Sequence, residues 1–302
     1  MSDLSRRRVV GLGLGAAAVG FAGAAAAATP FFKRTGLPIG IQLYTLGADL
    51  KADLDGQLGQ LAKMGYRTVE MAGYLGRTPK ELRAAFDKAG VSCPSSHVQG
   101  RQRGPEPSLA DLDRLITDAH LIGIRHIVLP SFVAPDGATD ADKATPAYWQ
   151  TTVDLLNKTA VTLKAAGLTM GYHNHNAEFA PVGVTTPMEI LLKGTDPSMV
   201  QFEMDVGWVV AAGRDPFALL KAHPGRFRQM HVKDVKATTK PNFVFKQDPT
   251  EIGSGIIDWK SLLPAAYAAG VREFYVEQEA PFERPRIEAA KISVDYLGAL
   301  VA

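Results

Sequence analysis

The chain is short of cysteine: Cys93 is the only one in 302 residues. No internal disulfide can brace it, and stability has to come from its core. Cys93 itself falls in an expected strand and reads as a small core residue. Net charge is also scarce, with 33 basic against 31 acidic residues. Residues 1–28 hold three of the arginines and Asp3, so the remainder carries 30 of each sign and is neutral. A nucleic-acid partner would call for a basic surplus to neutralise phosphates, and none exists. A long apolar run is missing as well. The one mild stretch, Gly11 to Gly23 followed by alanines up to Ala28, is too short and too rich in Gly and Ala to span a membrane well. With Ser5-Arg6-Arg7-Arg8 before it, it reads as a twin-arginine signal peptide: basic n-region, short h-region and A-x-A cleavage site. The expectation is a periplasmic protein with signal 1–28, linker 29–38 and one domain over 39–302.

What the sequence does have is alternation. Eight short apolar or β-branched runs are separated by helix-length segments: Ile39 to Tyr44, Thr68 to Ala72, Val91 to His97, His126 to Pro130, Leu168 to His175, Val200 to Asp205, Phe227 to Lys233 and Glu273 to Glu277. Such runs suit parallel strands covered on both faces. In the first intervening segment Leu54, Leu58, Leu61 and Met64 share one helical face. Similar stripes lie near 80–89, 109–122, 147–166, 186–193, 215–222, 259–269 and 286–300. Gly65, Gly90, Gly123, Gly167 and Gly270 each stand between a stripe and the next run, where a helix stop belongs. Eight strand–helix units predict an α/β fold, a (β/α)8 TIM barrel in a single domain. An open doubly wound sheet would want a Gly-rich phosphate turn after its first strand, and Tyr44-Thr45-Leu46-Gly47 is not one. The longest loops after strands, 98–107, 131–145 and 234–257, fall where barrels place their chemistry.

Groups that bind metal or move protons stand at the C-terminal ends of these strands: Glu70, His97, His173 with His175, Asp205, His231 with Lys233, and Glu277 with Glu279. Alternate residues of a strand share a face, so each pair points one way. A lone histidine at a strand end is more often a hydrogen-bonded structural residue, and Glu70 alone would read as a solvated charge. Packing alone does not bring such groups from six of eight strands to one rim. Asp205, between Met204 and Val206, heads for burial and needs a partner or a metal. A mixed His/Asp/Glu set suits one divalent ion, Mn, Zn, Co or Mg, without selecting among them. His120, His126 and His223 lie in or before helices, or at a strand start, and receive no role. Trp208, Trp149 and Trp259 read as packing or a sugar-stacking wall, and only Trp208, three residues past Asp205, is placed to face the pocket.

Ordered segments along nearly the whole domain carry a family resemblance. They are Gly40-Ile41-Gln42-Leu43-Tyr44-Thr45, Ala72-Gly73-Tyr74, Ser95-Ser96-His97, Tyr172-His173-Asn174-His175 with Glu178-Phe179, Met204-Asp205-Val206-Gly207-Trp208, His231-Val232-Lys233-Asp234, Gly253-Ser254-Gly255-Ile256-Ile257-Asp258-Trp259 and Val276-Glu277-Gln278. Together they resemble the xylose-isomerase-like barrels, in the sugar phosphate isomerase/epimerase branch. The resemblance implies one divalent metal held by His173, Asp205, His231 and Glu277. It departs at one position. Sugar isomerases and epimerases of this kind usually carry Glu where His173 stands, with Asn three residues on, a spacing that Asn176 keeps. In the epimerases two glutamates serve opposite faces of the substrate carbon. Here His175, Glu178 or Lys233 would have to supply the second acid/base group. Apurinic-endonuclease relatives hold three metals and need His where Trp208 stands, which argues against DNA repair.

The expected function is that of a divalent-metal-dependent sugar isomerase or epimerase. It would take a proton next to the carbonyl of a non-phosphorylated keto-sugar, through a metal-bound enediolate. Glu277 or His175 is the expected base and Lys233 an oxyanion or leaving-group partner. Glu70, His97, Trp208, Gln42 and Tyr44 are the expected substrate contacts. One alternative is a lyase performing β-elimination on a 3-keto-glycoside. Another is a non-catalytic periplasmic sugar-binding barrel that needs no metal. The expected partner is a small sugar or keto-glycoside, with a homo-oligomer allowed, no nucleic acid, and no membrane after signal cleavage.

Overall fold

The computed structural model describes residues 29–302, so the expected signal segment 1–28 lies outside the described residues. Eight parallel strands close a barrel: β1 (Gly40–Gln42), β2 (Thr68–Ala72), β3 (Ser92–His97), β4 (His126–Leu129), β5 (Thr169–His173), β6 (Val200–Asp205), β7 (Phe227–Val232) and β8 (Glu273–Val276). Each lies beside its neighbours in sequence, and β8 returns to β1 through Gly40 opposite Tyr275 and Ile41 opposite Val276. Every expected strand is present. Several stop one or two residues early, so that Tyr44, His175, Lys233 and Glu277 leave the ladder and open the loops at the C-terminal rim.

The connecting helices are Leu54–Met64, Pro79–Ala89, Leu112–Ile122, Pro146–Ala165, Pro187–Gly194, Pro216–Ala222, Trp259–Ala269 and Arg286–Ala299, with a further short helix, Val206–Ala211, directly after β6. Local chemistry sets their ends. Thr78 and Glu81 form a reciprocal capping box ahead of Pro79. Gly65, at φ +119°, turns its N–H back to the carbonyls of Leu61 and Ala62. Trp149 and Trp259 are buried packing residues, and Cys93 is a buried free thiol. Among the described residues no helix is long and apolar enough to cross a membrane.

The expected linker 29–38 is instead folded onto the domain. Helix Phe31–Thr35 buries Phe31 and Phe32, whose rings meet Phe274 of β8 edge-on at 6.0 and 5.7 Å. The Phe31 N–H donates to the Leu300 carbonyl at 2.8 Å, tying the segment to the C-terminal helix. Two adjacent phenyl groups bring enough apolar area to dock rather than stay in water.

Inside the barrel the side chains are polar. Near the N-terminal end His126 bridges Thr169 Oγ1 (2.6 Å) and Glu273 Oε1 (3.1 Å), a structural role. Above them Gln229 Nε2 donates to Ser95 Oγ (2.9 Å), and Ser95 Oγ donates to Glu70 Oε1 (2.5 Å). At the other end the loop 234–257 is clamped by Asp234. Its carboxylate accepts the N–H groups of Val235, Gly253, Gly255 and Ile257 and the indole N–H of Trp259. A Cβ on Gly255 would lie 2.1 Å from Asp234 Oδ1, so this turn requires glycine.

Phe31→Ala should lower stability by about 3 kcal/mol, the lower range for truncating a buried phenylalanine. Thermal melting of the purified protein checks this; an unchanged midpoint would mean the segment is not part of the core.

Candidate active site

Strand register brings the chemistry together. His173 lies opposite Glu203, and Asp205 opposite His231, which is itself opposite Tyr275 of β8. Asp205 ends β6 and caps the helix that follows: its Oδ1 accepts the Trp208 N–H at 3.0 Å. Only Oδ2 is left to face the barrel axis. Asn174 locks this strand end, accepting the Asp205 N–H at 3.1 Å and donating to the Asp205 carbonyl at 3.3 Å.

Donor atoms then follow one another around the rim. His173 Nε2 is 3.8 Å from Asp205 Oδ2, Asp205 Oδ2 is 3.7 Å from His231 Nδ1, and His231 Nδ1 is 3.0 Å from Glu277 Oε2. Asp205, His231 and Glu277 fall within ligating reach of one another, and His173 does so in a second group with His97, Glu203 and His231. The far nitrogens of both histidines are anchored below. Glu203 Oε2 receives His173 Nδ1 (3.0 Å), His231 Nε2 (3.1 Å) and His97 Nε2 (2.9 Å). Glu70 Oε2 receives His231 Nε2 at 2.6 Å and the Gln42 amide at 2.8 Å. A carboxylate behind each histidine, fixing which nitrogen is presented, is the usual support of a metal-binding imidazole. Lys233 Nζ completes the cluster, 2.7 Å from Asp205 Oδ2, 2.6 Å from Glu277 Oε2 and 2.7 Å from Glu279 Oε1.

Glu70, Glu203, Asp205 and Glu277 are buried, and Lys233 is the buried ammonium among them. Neighbours answer part of that charge: burial and then Glu203 lift Glu70, and Glu70 with Glu203 lifts His97 against its burial. Burial alone would lift Glu277, but the Lys233 ammonium and then His231 hold it well below the usual carboxylate range. Burial would lower His231, yet Glu203 and Glu277 raise it well above an ordinary imidazole. Glu203 is likewise held low against its burial, by His231 first. The chemistry of His173, Asp205, His231 and Glu277 suits a divalent ion: two carboxylates and two imidazoles, each imidazole backed by a carboxylate.

A cavity of about 390 Å³ opens over this cluster, lined by Tyr44, Tyr74, His97, Arg103, Glu106, His173, His175, Glu277 and Glu279 among others. Most ionisable groups in its floor are committed to opposite charges. Burial lowers both His173, to about 4, and His175, which His173 and Lys233 lower further, but only His175 has an Nδ1 without a hydrogen-bond partner among the described residues. Several expected contacts sit elsewhere. Gln42 and Glu70 lie beneath the floor, where they support His231, because their strands place them one layer down. Trp208 is 2% exposed; it donates Nε1–H to Glu279 (3.3 Å) and lies under Lys233, with Nζ 5.2 Å from its ring. Glu178, an expected acid/base group, is buried behind the β5 loop. It accepts the Tyr172 hydroxyl (2.6 Å) and the His175 N–H (3.0 Å) and so shapes that loop. Glu203 received no specific role from the sequence, although its spacing of two from Asp205 puts it on the same strand face. Glu279 was likewise present only as a partner in a face.

The family described as xylose isomerase-like TIM barrel matches residues 58–300. An inosose dehydratase of Geobacillus kaustophilus is 27% identical over 197 residues, 60% of this chain and 62% of that protein. The chain thus spans less than two thirds of the length of the curated relatives it matches. A sugar phosphate isomerase/epimerase structure from Parabacteroides distasonis is 28% identical with TM-score 0.72, covering 87% of this chain and 94% of that one. The IOLI protein with a bound zinc atom, 15% identical with TM-score 0.66 over 88% of this chain and 98% of that one, shares the fold.

Two measurements test the geometry. Glu203→Gln should weaken divalent-metal binding about 10- to 100-fold, the usual cost of losing a group that orients a ligand; metal titration giving wild-type affinity would remove its anchoring role. Glu178 is pushed up to about 7 by burial, against the Tyr172 hydroxyl and the His175 N–H that lower it. A carboxyl raised on folding stabilises least when ionised, so stability falls as pH climbs from the unfolded value toward and through 7. From pH 5 to pH 8 the native protein should therefore lose stability relative to Glu178→Gln. Melting midpoints that move in parallel would contradict this.

Proposed function

The chain belongs to the xylose isomerase-like TIM barrel family, and from that premise we propose a metal-dependent lyase that performs β-elimination on a keto-sugar or keto-glycoside. The observation that carries this reading is an imidazole over the site that no charged group engages. His175 lines the cavity with an unpartnered Nδ1, whereas His97 and His173 are hydrogen-bonded to Glu203, and Glu277 and Glu279 are paired with Lys233. Proton exchange on two faces of a carbon calls for two opposed bases. Elimination needs one base and a nearby acid, and one imidazole can serve as both in turn. The likeness to proteins called inosose dehydratases supports the same class of reaction.

His173, Asp205, His231 and Glu277 would hold the divalent metal, which supplies Lewis acidity toward a substrate carbonyl. His175 takes the proton from the carbon beside that carbonyl. The Lys233 ammonium, kept charged against its burial by Asp205, Glu277 and Glu279, stabilises the negative charge that develops in the cluster. Imidazolium at His175 then gives its proton to the departing oxygen. Trp208 and Glu279 position Lys233, and Glu178 with Tyr172 positions the His175 backbone. The twin-arginine leader read in residues 1–28 puts the reaction in the periplasm and favours a substrate without phosphate.

A second reading, isomerisation, draws on the likeness to the sugar phosphate isomerase/epimerase structure. In it His175 returns the proton to a neighbouring carbon. Incubating the metal-loaded protein with keto-sugars and keto-glycosides in deuterated water separates the two. Elimination yields an unsaturated ketone and a released alcohol or water. Isomerisation yields deuterium in an isomer or in recovered substrate. His175→Ala should lower kcat about 10²- to 10⁴-fold, the scale of general acid–base catalysis, while retaining metal. Full activity in that variant would rule out His175 as the base.

A further inference from the structure

The cavity over the cluster adjoins a second one of about 460 Å³, and the two share Gln99 and Arg103 as lining residues. Three aromatic residues, Phe132, Tyr148 and Phe245, stand in a lining that is otherwise polar or small. Phe132, from the loop after β4, packs against Tyr148 with ring centroids 5.8 Å apart and against Trp149 at 4.7 Å. Lys143 Nζ lies 5.6 Å from the centroid of the Phe132 ring. Phe245 joins this lining from the loop after β7.

Phe245 is held there by a built turn. Asn242 Oδ1 accepts the N–H groups of Val244 (3.0 Å) and Lys246 (3.2 Å) and the side-chain amide of Asn176 (2.8 Å). Asn176 Oδ1 in turn accepts the Phe245 N–H at 3.1 Å. The Phe245 backbone sits at φ +55°, a left-handed conformation that is costly for a bulky side chain, and the residue is 52% exposed. An aromatic side chain fixed in this way and left half in solvent gains little from the core. Its ring centroid is 5.3 Å from that of His175 and 6.1 Å from that of Trp208, so it stands beside the proposed base.

We propose that the second cavity is the leaving-group subsite of the lyase, and that it takes a planar aromatic alcohol, so that the substrate is an aryl keto-glycoside. This inference rests on the elimination reading and adds the class of group expelled. A flat ring gains from stacking on Phe245 and Phe132, whose geometry suits offset or edge contacts. Charge fits as well. Arg101 and Lys143 have Asp136 and Asp140 as partners, whereas Arg103, shared by both cavities, is in no ion pair among the described residues. Elimination balances without a co-reactant. The C–H electron pair becomes the C=C bond, and the bond to the aryloxy oxygen breaks with its pair. The phenolate then receives the proton taken up by His175. A phenol ionises near pH 10, as tyrosine does, which makes its anion a good leaving group beside a guanidinium.

The test compares 4-nitrophenyl and methyl 3-keto-glucosides as substrates and free 4-nitrophenol as a binding probe, with metal-loaded full-length protein. Phe245→Ala and Phe132→Ala are each expected to reduce the aryl-to-methyl ratio of kcat/KM at least tenfold and to weaken calorimetric binding of 4-nitrophenol by a similar factor. Phe245 lies in an exposed loop, so its variant should melt as the wild type does. No binding of 4-nitrophenol to the wild type, or a ratio unchanged in both variants, would overturn the subsite. If neither glycoside is eliminated while 4-nitrophenol binds and Phe245→Ala weakens it, the aromatic subsite stands and the elimination reading falls.

Discussion

The structure is organised around negative charge buried at the axis of the barrel. Glu70 and Glu203 are withdrawn from water against imidazoles, and Asp205 and Glu277 against Lys233. Carboxylates in such a place persist only with positive charge and hydrogen bonds close by. The three imidazoles around Glu203, the ammonium between Asp205 and Glu277, and the fit of the upper donors to a divalent ion all answer this demand. So does the polar interior below, where Ser95, Gln229 and Gln42 satisfy oxygens that an aliphatic core would leave bare. A divalent ion bound here would complete an electrostatic arrangement whose other members are already fixed by strand register.

Rigidity of the surroundings follows from the same economy of hydrogen bonds. Asp205 caps a helix with one oxygen and leaves the other for the site. Asp234 gathers four backbone N–H groups and an indole to hold the long loop after β7. Glu178, hidden behind the β5 loop, fixes the His175 backbone without entering the cavity. Supports of this kind keep reacting groups within tenths of an ångström of a working position, which is where much of catalytic power resides. They also hold His175 in the cavity lining with its Nδ1 unpartnered, which links packing behind the site to the chemistry proposed in front of it.

Much of the fold and part of the site were legible in the sequence. Alternating runs and stripes located eight strands and eight helices to within a few residues, because burial on both faces and a helical period of 3.6 leave strong local traces. His231, Asp205 and Glu277 could be named from strand ends and a family resemblance, and they lie together. Roles were harder to assign. Trp208 was expected to face substrate and lies under Lys233. Gln42 and Glu70 were expected to touch substrate and support His231 from one layer down. Depth along a barrel axis depends on how neighbouring strands are staggered, which no strand reveals by itself. The segment 29–38 looked like a linker because five helical residues are too few to show a period, yet Phe31 and Phe32 anchor it.

The sequence alone thus determined the order of elements, the rim that would bear chemistry and the types of residue on it. These follow from local periodicity and from which side chains can ligate or titrate. Only the tertiary structure decided which of those residues meet and which nitrogen of each histidine faces the cavity. It also joined the Phe245 turn to Asn176, 69 residues away. Such pairings are set by strand stagger and by hydrogen bonds between distant loops, which exist only once the barrel has closed.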